Sequence, residues 1–272
     1  MSNSHFGKCA LCRQECELSF EHIPPRSAFN YKPVKSVTGD KILNDPDRMP
    51  WDTDGLEYSN QQRGMGKFSL CDSCNKNTGR WYGTAYKRMA QAGHLLLSDH
   101  ISPDENLVIV KDIYPLRFIK QVISMFCSVN SIEDDRLPEL RQFVLNQQET
   151  GLDKSKYKLC MYFTKSRYRK YAPLSIIIND INGAPICTVV SEITAYPLGF
   201  TLFFNPTDAL VFDGVDITGF ADFGYDEKAD IGLPICILEM NDLLPTFYRT
   251  QEEIIHTVNE TNEWKRLNDN DD

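Results

Sequence analysis

The chain reads Cys9-Ala-Leu-Cys12 near its beginning and Cys71-Asp-Ser-Cys74 further on. A Cys-x-x-Cys sequence places two thiolates on one tight turn, and two such turns can complete a tetrahedral site with metal–sulfur distances of about 2.3 Å. Zinc is the expected ion, and four cysteine ligands leave no open position for catalysis. We therefore predict that these four cysteines hold a structural zinc ion, whose binding supplies folding free energy to a unit with a small core.

The spacing of the two pairs indicates how they are arranged. It is longer than in a compact zinc ribbon, which favours a treble clef, with a hairpin and an insertion between the two zinc knuckles. Three alternatives stay open. One pair could be coincidental, Cys16 could substitute as a ligand, or the chain could be a thiol redox protein.

The second signal is the adjacent pair Glu21-His22, which lies in a predicted strand over residues 18–23 that Pro24-Pro25 ends. Alone, such a pair is more often a surface pair or a hydrogen-bonded structural histidine. A nuclease, however, needs a base to take a proton from water and an oxygen-ligated divalent ion to stabilise charge, and His, Glu and Asn can supply these groups. Because neighbouring strand side chains diverge, we expect a bend at the prolines to bring both to one phosphate.

These motifs together resemble the HNH (ββα-metal, His-Me finger) endonucleases that carry a zinc-bound treble clef. In that family a Cys-x-x-Cys pair precedes an Asp-His-Ile-x-Pro-like strand, and a Leu-Cys-x-x-Cys-Asn segment opens the final helix. The matching residues are Glu21-His22-Ile23-Pro24 and Leu70-Cys71-Asp72-Ser73-Cys74-Asn75, and the resemblance covers about residues 6–90. It implies that His22 is the general base, that Glu21 and Asn75 hold a catalytic Mg²⁺ or Mn²⁺ ion, and that cleavage leaves 5′-phosphate and 3′-hydroxyl ends.

Three departures from the family pattern have consequences. Glu21 stands where Asp is usual, so the alternative function is a catalytically degenerate finger that binds nucleic acid or serves as a scaffold. The middle asparagine of the family is missing before the second knuckle, where Asn60 is the nearest candidate. Asn77 could compete with Asn75 as a ligand, but helical positions two apart do not share a face, and we prefer Asn75.

Charge is distributed unevenly along the chain. The net charge is -9, yet residues 1–100 carry 13 basic against 11 acidic side chains, whereas residues 101–272 carry 16 against 27. A basic face on an acidic body is therefore compatible with nucleic acid. We predict phosphate contacts from seven basic residues, with a solvated helix face as the alternative: Arg26, Arg63, Lys67, Lys76, Arg80, Lys87 and Arg88. A second, weaker candidate patch is formed by Lys165, Arg167, Arg169 and Lys170 around Tyr168.

The remainder of the chain predicts helices and then strands. Helices are expected over 115–130, where proline is a favourable first residue, and over 138–148, and a final helix over 250–267. Strands are expected over 157–164, 175–178, 185–193, 199–204, 209–212 and 233–238. The fold class is thus α+β: a zinc-stapled ββα-metal treble-clef finger, a helical segment and a β-rich C-terminal domain.

The predicted organisation has two domains, in keeping with 272 residues. Residues 1–97 would form the HNH-like zinc-binding nuclease domain, with a long insertion at 30–67, and residues 98–272 an α+β domain for sensing, regulation or oligomerisation. The expected function is a metal-dependent endonuclease that hydrolyses phosphodiester bonds of nucleic acid, with DNA as the expected substrate, in phage defence or mobile-element biology. The chain start lacks a signal-peptide core and no stretch is apolar enough to cross a membrane, so we expect a cytoplasmic protein with a nucleic-acid partner and a homo-oligomeric or regulatory partner for the C-terminal domain.

Overall fold

A computed structural model describes residues 5–45, 48–98, 106–181, 184–207, 212–239, 241–246 and 248–268, and the fold is α+β as expected. Its helices are α1 (Gly39–Leu43), α2 (Asp72–Ser98), α3 (Pro115–Val129), α4 (Pro138–Leu145) and α5 (Gln251–Asn268). Its strands are β1 (His5–Lys8), β2 (Glu15–His22), β3 (Val34–Ser36), β4 (Ser59–Gln61), β5 (Gly66–Cys71), β6 (Leu107–Ile113), β7 (Tyr157–Phe163), β8 (Lys170–Ile181), β9 (Ala184–Ala195), β10 (Leu198–Phe204), β11 (Val215–Asp216) and β12 (Ala229–Pro234).

The N-terminal sheet is antiparallel with the order β1-β2-β5, and α2 begins at the residue after β5. The turn between β1 and β2 carries the first cysteine pair, and the junction of β5 with α2 carries the second. Strand β2 ends at His22, just before Ile23-Pro24-Pro25, because proline has no N–H to donate to a sheet. The hairpin β2-β5 therefore connects the two knuckles.

The insertion over 30–67 contains short elements of its own, although its sequence has little periodicity. Helix α1 and the antiparallel pair β3-β4 lie within it. Asn30 holds the two ends of the insertion together. Its Nδ2 donates to the carbonyls of Pro24 (2.6 Å) and Met65 (2.7 Å), and its Oδ1 accepts from Met65 N–H (2.8 Å). Gly64 has φ +102°, and a Cβ there would lie 2.3 Å from the carbonyl oxygen of Asn30, so glycine is required for this closure.

The second half of the chain is built on a five-stranded antiparallel sheet with the order β11-β7-β10-β9-β8. The strands predicted between 157 and 204 correspond to β7, β8, β9 and β10. The strand predicted over 209–212 falls almost wholly outside the described residues. The strand predicted over 233–238 is shifted: β12 spans Ala229–Pro234 and pairs with β6, which the sequence did not predict.

Helix α3 lies at the centre of the core. All of its residues except Arg117 are buried, and it packs on α2 and α4 and contacts β5, β8 and β9. One cluster of buried side chains extends from Leu11 in the first knuckle through Tyr86 and Phe118 to Phe200 in the large sheet. The two segments predicted as domains, whose boundary falls at the end of α2, therefore share one hydrophobic core. Among the residues described, none of the helices combines the length and apolar character needed to cross a membrane.

Arg141 in α4 joins the first knuckle to this core. Its side chain is 2% exposed, and it donates from Nε to the carbonyl of Ala10 (3.0 Å) and from Nη2 to the carbonyl of Ile132 (2.6 Å). Replacement by alanine would leave two carbonyls without this donor and create a cavity. We expect Arg141→Ala to lower the free energy of unfolding by about 3 kcal/mol. Urea denaturation measures this, and Arg136→Ala, which removes a half-exposed side chain, serves as the control with an expected loss below about 0.5 kcal/mol.

Candidate functional site

The four predicted zinc ligands lie together. The Sγ atoms of Cys9, Cys12, Cys71 and Cys74 are all within 4.8 Å of one another, and those of Cys12 and Cys71 are 3.9 Å apart. Tetrahedral coordination with metal–sulfur distances of 2.3 Å places neighbouring sulfurs about 3.8 Å apart. The number, type and spacing of the ligands thus fit a metal ion such as zinc.

The surroundings of this cysteine cluster favour a thiolate at Cys9 and oppose one at Cys12 and Cys74. Backbone N–H groups donate to sulfur from Cys71 to Cys9 (3.3 Å) and from Cys74 to Cys71 (3.4 Å). The contact with the Cys74 thiol lowers the pKa of Cys9 to about 4, and the same contact, together with burial, raises the pKa of Cys74. The Cys9 thiol is therefore the first of this pair to ionise, and a bound cation would favour the second thiolate. Cys16 lies outside the cluster, and its thiol reaches the carbonyl of Gln14 (3.4 Å).

Glu21 points into the protein. It is 4% exposed, and its Oε2 accepts hydrogen bonds from the hydroxyls of Ser69 (3.1 Å) and Ser128. Burial raises the pKa of Glu21 to about 7, although the two hydroxyls and the nearby Lys67 ammonium act in the opposite direction. The resemblance implies a catalytic ion beside this carboxyl group, and the structure holds the group between β5 and α3.

His22 points to the other face of β2, as alternation along a strand requires. It is half-buried, and its Nε2 lies 3.0 Å from the carbonyl oxygen of Arg63. A carbonyl only accepts, so Nε2 carries the hydrogen, and Nδ1 holds the lone pair whenever the ring is neutral. Burial lowers the pKa of His22, and the positive charges of Arg26 and Arg63 lower it further. The neutral ring is thereby favoured near pH 7.

Asn75, in the first turn of α2, faces β2. Its Nδ2 donates to the hydroxyl of Ser19 (3.0 Å) and to the carbonyl of Phe20 (3.2 Å), and its Oδ1 takes part in neither bond. Asn77 instead accepts from the guanidinium of Arg80 (3.4 Å). The structure thus brings Asn75 next to the strand that carries Glu21 and His22, whereas Asn77 pairs along its own helix.

The second half of the chain supports the bend after His22. The hydroxyl of Tyr171 donates to the carbonyl of Ile23, and Arg169 donates to Oδ1 of Asn30 (2.7 Å) and to the carbonyl of Phe29 (3.3 Å). Lys170 is 8% exposed and pairs with the buried Glu192 (3.3 Å). The prediction of an exposed basic patch around Tyr168 was therefore wrong for Arg169 and Lys170, since both bind groups within the protein.

The seven basic residues predicted to bind nucleic acid separate into groups. Arg26 and Arg63 are exposed and close enough to His22 to lower its pKa. Lys67 donates to the carbonyl of Val129 (3.2 Å). The other four are exposed along α2, where Lys76 pairs with Asp72 (2.7 Å) and Arg88 with Asp112 (3.4 Å): Lys76, Arg80, Lys87 and Arg88.

Two groups at the site were missed from the sequence. Ser128 is distant in the chain and reaches Glu21 because α3 packs against β5, so no local pattern could have indicated it. Asn30 braces the loop near His22, whereas Asn60, the nearest candidate for the missing asparagine, lies in β4 opposite Lys35.

The assembled residues can carry out acid–base chemistry beside an anion. His22 presents a neutral nitrogen, and Arg26 and Arg63 supply positive charge next to it. Glu21 lies in the same strand, and the Asn75 amide contacts that strand through the carbonyl of Phe20. The sequence was also compared with models of protein families and with curated proteins, and the structure with solved structures. None of these three comparisons gives a match.

Proposed function

We propose that this protein is a metal-dependent endonuclease of the HNH type that hydrolyses phosphodiester bonds in nucleic acid, with DNA as the substrate. The observation that carries the proposal is the orientation of His22, whose Nε2 is bound by the carbonyl of Arg63 while Arg26 and Arg63 lie beside the ring. A neutral imidazole with one nitrogen fixed is suited to take a proton from water next to a phosphate.

The N-terminal unit is proposed to be a treble clef that holds structural zinc. The order of its parts supports this: a knuckle in the β1-β2 turn, the hairpin β2-β5, and a second knuckle at the start of α2. In this arrangement the strand that carries His22 and the helix that carries Asn75 are held together at the cysteine cluster. The zinc site would therefore fix the relative position of the catalytic residues and take no part in the reaction.

The side chains of Glu21 and Asn75 offer oxygen atoms near β2, the donor type that a hard divalent cation prefers. Glu21 uses Oε2 for both hydroxyls and Asn75 uses Nδ2 for both of its bonds, so Oε1 of Glu21 and Oδ1 of Asn75 are the proposed ligand atoms. Mg²⁺ is commonly held by one or two protein oxygens and several waters. When bound there, Mg²⁺ or Mn²⁺ would stabilise negative charge on the departing 3′ oxygen.

The residues of the chain would divide the reaction as follows. Nδ1 of His22 takes a proton from water as the water oxygen attacks phosphorus, and the bond from phosphorus to the 3′ oxygen breaks. That oxygen then takes up a proton from solvent. Arg26 and Arg63 hold the phosphate by charge-assisted hydrogen bonds. The products are a 5′-phosphate and a 3′-hydroxyl, as the resemblance implies.

The second candidate function is a finger that binds nucleic acid without cutting it. The observation that favours it is the burial of Glu21, whose pKa of about 7 and two hydroxyl partners describe a carboxyl group already satisfied within the protein. A bound cation would have to stabilise the ionised carboxylate of Glu21 enough to offset its burial. The two candidates differ in whether divalent ions produce cleavage.

The experiment that tests the proposal compares Asn75→Ala with Asn77→Ala in plasmid nicking at increasing Mn²⁺ or Mg²⁺ concentration. Both variants remove one amide from the same helix, but only Asn75 contacts β2. We expect Asn75→Ala to reduce the nicking rate at saturating metal by about 100-fold and Asn77→Ala to retain the wild-type rate. Equal effects of the two substitutions, at equal zinc content, would argue against Asn75 as a ligand.

The pH dependence of nicking follows from the lowered pKa of His22. Burial and the adjacent arginines place the pKa of His22 below its usual value of about 6.5, so the base is active at neutral pH and is lost only as pH falls through the lowered value. The acid limb of kcat/KM, which reports the free enzyme, is therefore expected to lie below pH 6.5. A midpoint above pH 7, measured at constant ionic strength, contradicts the assignment of His22 as the base.

A further inference from the structure

We propose that a row of aromatic rings beside His22 binds unpaired bases, so that the substrate of this site is single-stranded or locally unpaired nucleic acid. The row consists of His22, Phe20, Phe68 and His5. This inference rests on the proposed function for its link to cleavage, but it makes a claim about binding that can be measured without cleavage.

The rings are in continuous contact. The edge of Phe20 meets His22 with centroids 5.1 Å apart and an interplanar angle of 88°, and Phe20 and Phe68 are 5.4 Å apart at 71°. His5 stacks on Phe68 with centroids 3.6 Å apart and an angle of 24°. Phe20 and Phe68 are direct partners in the β2-β5 register, which places this part of the row across the hairpin.

The row is partly open to solvent. Phe68 is 43% exposed and His5 is exposed, although Phe68 lies in the middle of β5. Gly66 keeps the row in place, because a Cβ at that position would lie 2.7 Å from the ring of Phe20. Glycine at position 66 therefore leaves the space that the Phe20 ring occupies in the row.

The charges around the row identify the partner. Arg26 and Arg63 lie next to His22, at one end of the row, so a ligand that extends along the rings has cations for its anionic groups at that end. Bases stack on aromatic rings with little sequence preference, while the phosphates they carry bind arginine. Neither bases nor ring faces are accessible inside a stacked duplex. Unpaired nucleotides supply both the apolar and the anionic parts, whereas an apolar protein surface supplies only the first.

Fluorescence anisotropy with a labelled oligothymidine and with a matched hairpin duplex tests this inference. The full-length, zinc-loaded protein is used without Mg²⁺ or Mn²⁺, so that cleavage does not contribute. We expect wild type to bind the single strand more tightly than the duplex, Phe68→Ala to weaken single-strand binding about tenfold, and Phe68→Trp to restore it. Phe6→Ala removes a neighbouring phenylalanine that is 72% exposed and is not a member of the row, and it serves as the matched control.

Three results would overturn the inference: equal affinity of wild type and Phe68→Ala for the single strand, a preference of wild type for the duplex, or no binding of either at low salt. A change in oligomeric state of Phe68→Ala with unchanged affinity, measured by light scattering, would assign the row to contacts between copies of the chain instead. Plasmid nicking is scored separately. Loss of single-strand binding in Phe68→Ala without any nicking by wild type would support the aromatic row and contradict the nuclease. Nicking by wild type with equal single-strand binding by wild type and Phe68→Ala would support the nuclease and contradict the aromatic row.

Discussion

His22→Ala is expected to slow plasmid nicking by at least about 100-fold, because a positioned general base typically contributes between 10² and 10⁴ to a rate. The fold should persist, since His22 is half-buried and the only hydrogen bond described for its ring is the one to the Arg63 carbonyl. The measurement is the initial rate of conversion of supercoiled to open-circular plasmid, with metal content and circular dichroism recorded for each preparation.

The control for this variant is His256→Ala. His256 is exposed on α5, where it lies 3.2 Å from Glu260 in the next turn. Its replacement removes the same chemical group from a surface remote in sequence from the hairpin, and the nicking rate should equal that of wild type. Unchanged nicking by His22→Ala in the same assay would assign cleavage to a different centre.

Cys9→Ser is expected to abolish metal binding and, as a result, to unfold the N-terminal unit. Cys9 is fully buried, and its sulfur accepts the N–H of Cys71, so the substitution affects both halves of the cluster. Structural zinc contributes about 10–16 kcal/mol in small zinc-finger units, which exceeds the stability of most domains. Zinc per chain, measured by mass spectrometry, should fall from about one to near zero, and thermal unfolding should begin at a lower temperature.

Cys187→Ser provides the matched control, because Cys187 is exposed in β9 and lies outside the cluster. It should retain both zinc and the wild-type unfolding temperature. A Cys9→Ser protein that keeps one tightly bound zinc would show that the metal is held elsewhere. A wild-type protein without zinc, but with reversible oxidation of the four thiols, would favour the redox alternative.

Short-range patterns in the sequence predicted much of the fold. The Cys-x-x-Cys spacing predicted the four cysteines that lie together in the structure. The position of Pro115 predicted the start of α3, because proline suits the first turn of a helix. The strands of the large sheet follow from alternation and turn residues. The predicted boundaries of these strands were less accurate. The strand predicted over 175–178 is β8, which extends from Lys170 to Ile181.

What the sequence could not predict depends on contacts between distant segments. The environment of Glu21 is set by Ser128 on α3, and the bend after His22 is held by Tyr171 on β8. Arg169 looked like part of a surface patch, yet its guanidinium braces Asn30. Periodicity reports how a segment faces the core, but it carries no information about which distant side chain completes a hydrogen bond.

These contacts also bear on the role of the second half of the chain. Residues beyond 98 supply the hydroxyl that binds Glu21, the hydroxyl that binds Ile23 and the guanidinium that binds Asn30. Sensing, regulation and oligomerisation were the roles expected from the sequence, and they stay predictions. Direct support of the candidate site is a role that the structure adds, because it fixes the loop on which Arg26 lies.

The proposed hydrolysis of phosphodiester bonds at this site can be tested by plasmid nicking followed by ligation. Zinc-loaded wild-type protein is incubated with supercoiled plasmid and Mg²⁺ or Mn²⁺ at low salt, and the nicked product is treated with DNA ligase. We expect nicks that depend on the divalent ion and that ligase seals without further treatment, because the ends are 5′-phosphate and 3′-hydroxyl. Plasmid left intact at every Mg²⁺ and Mn²⁺ concentration by protein that holds its zinc would contradict the nuclease and favour a binding function.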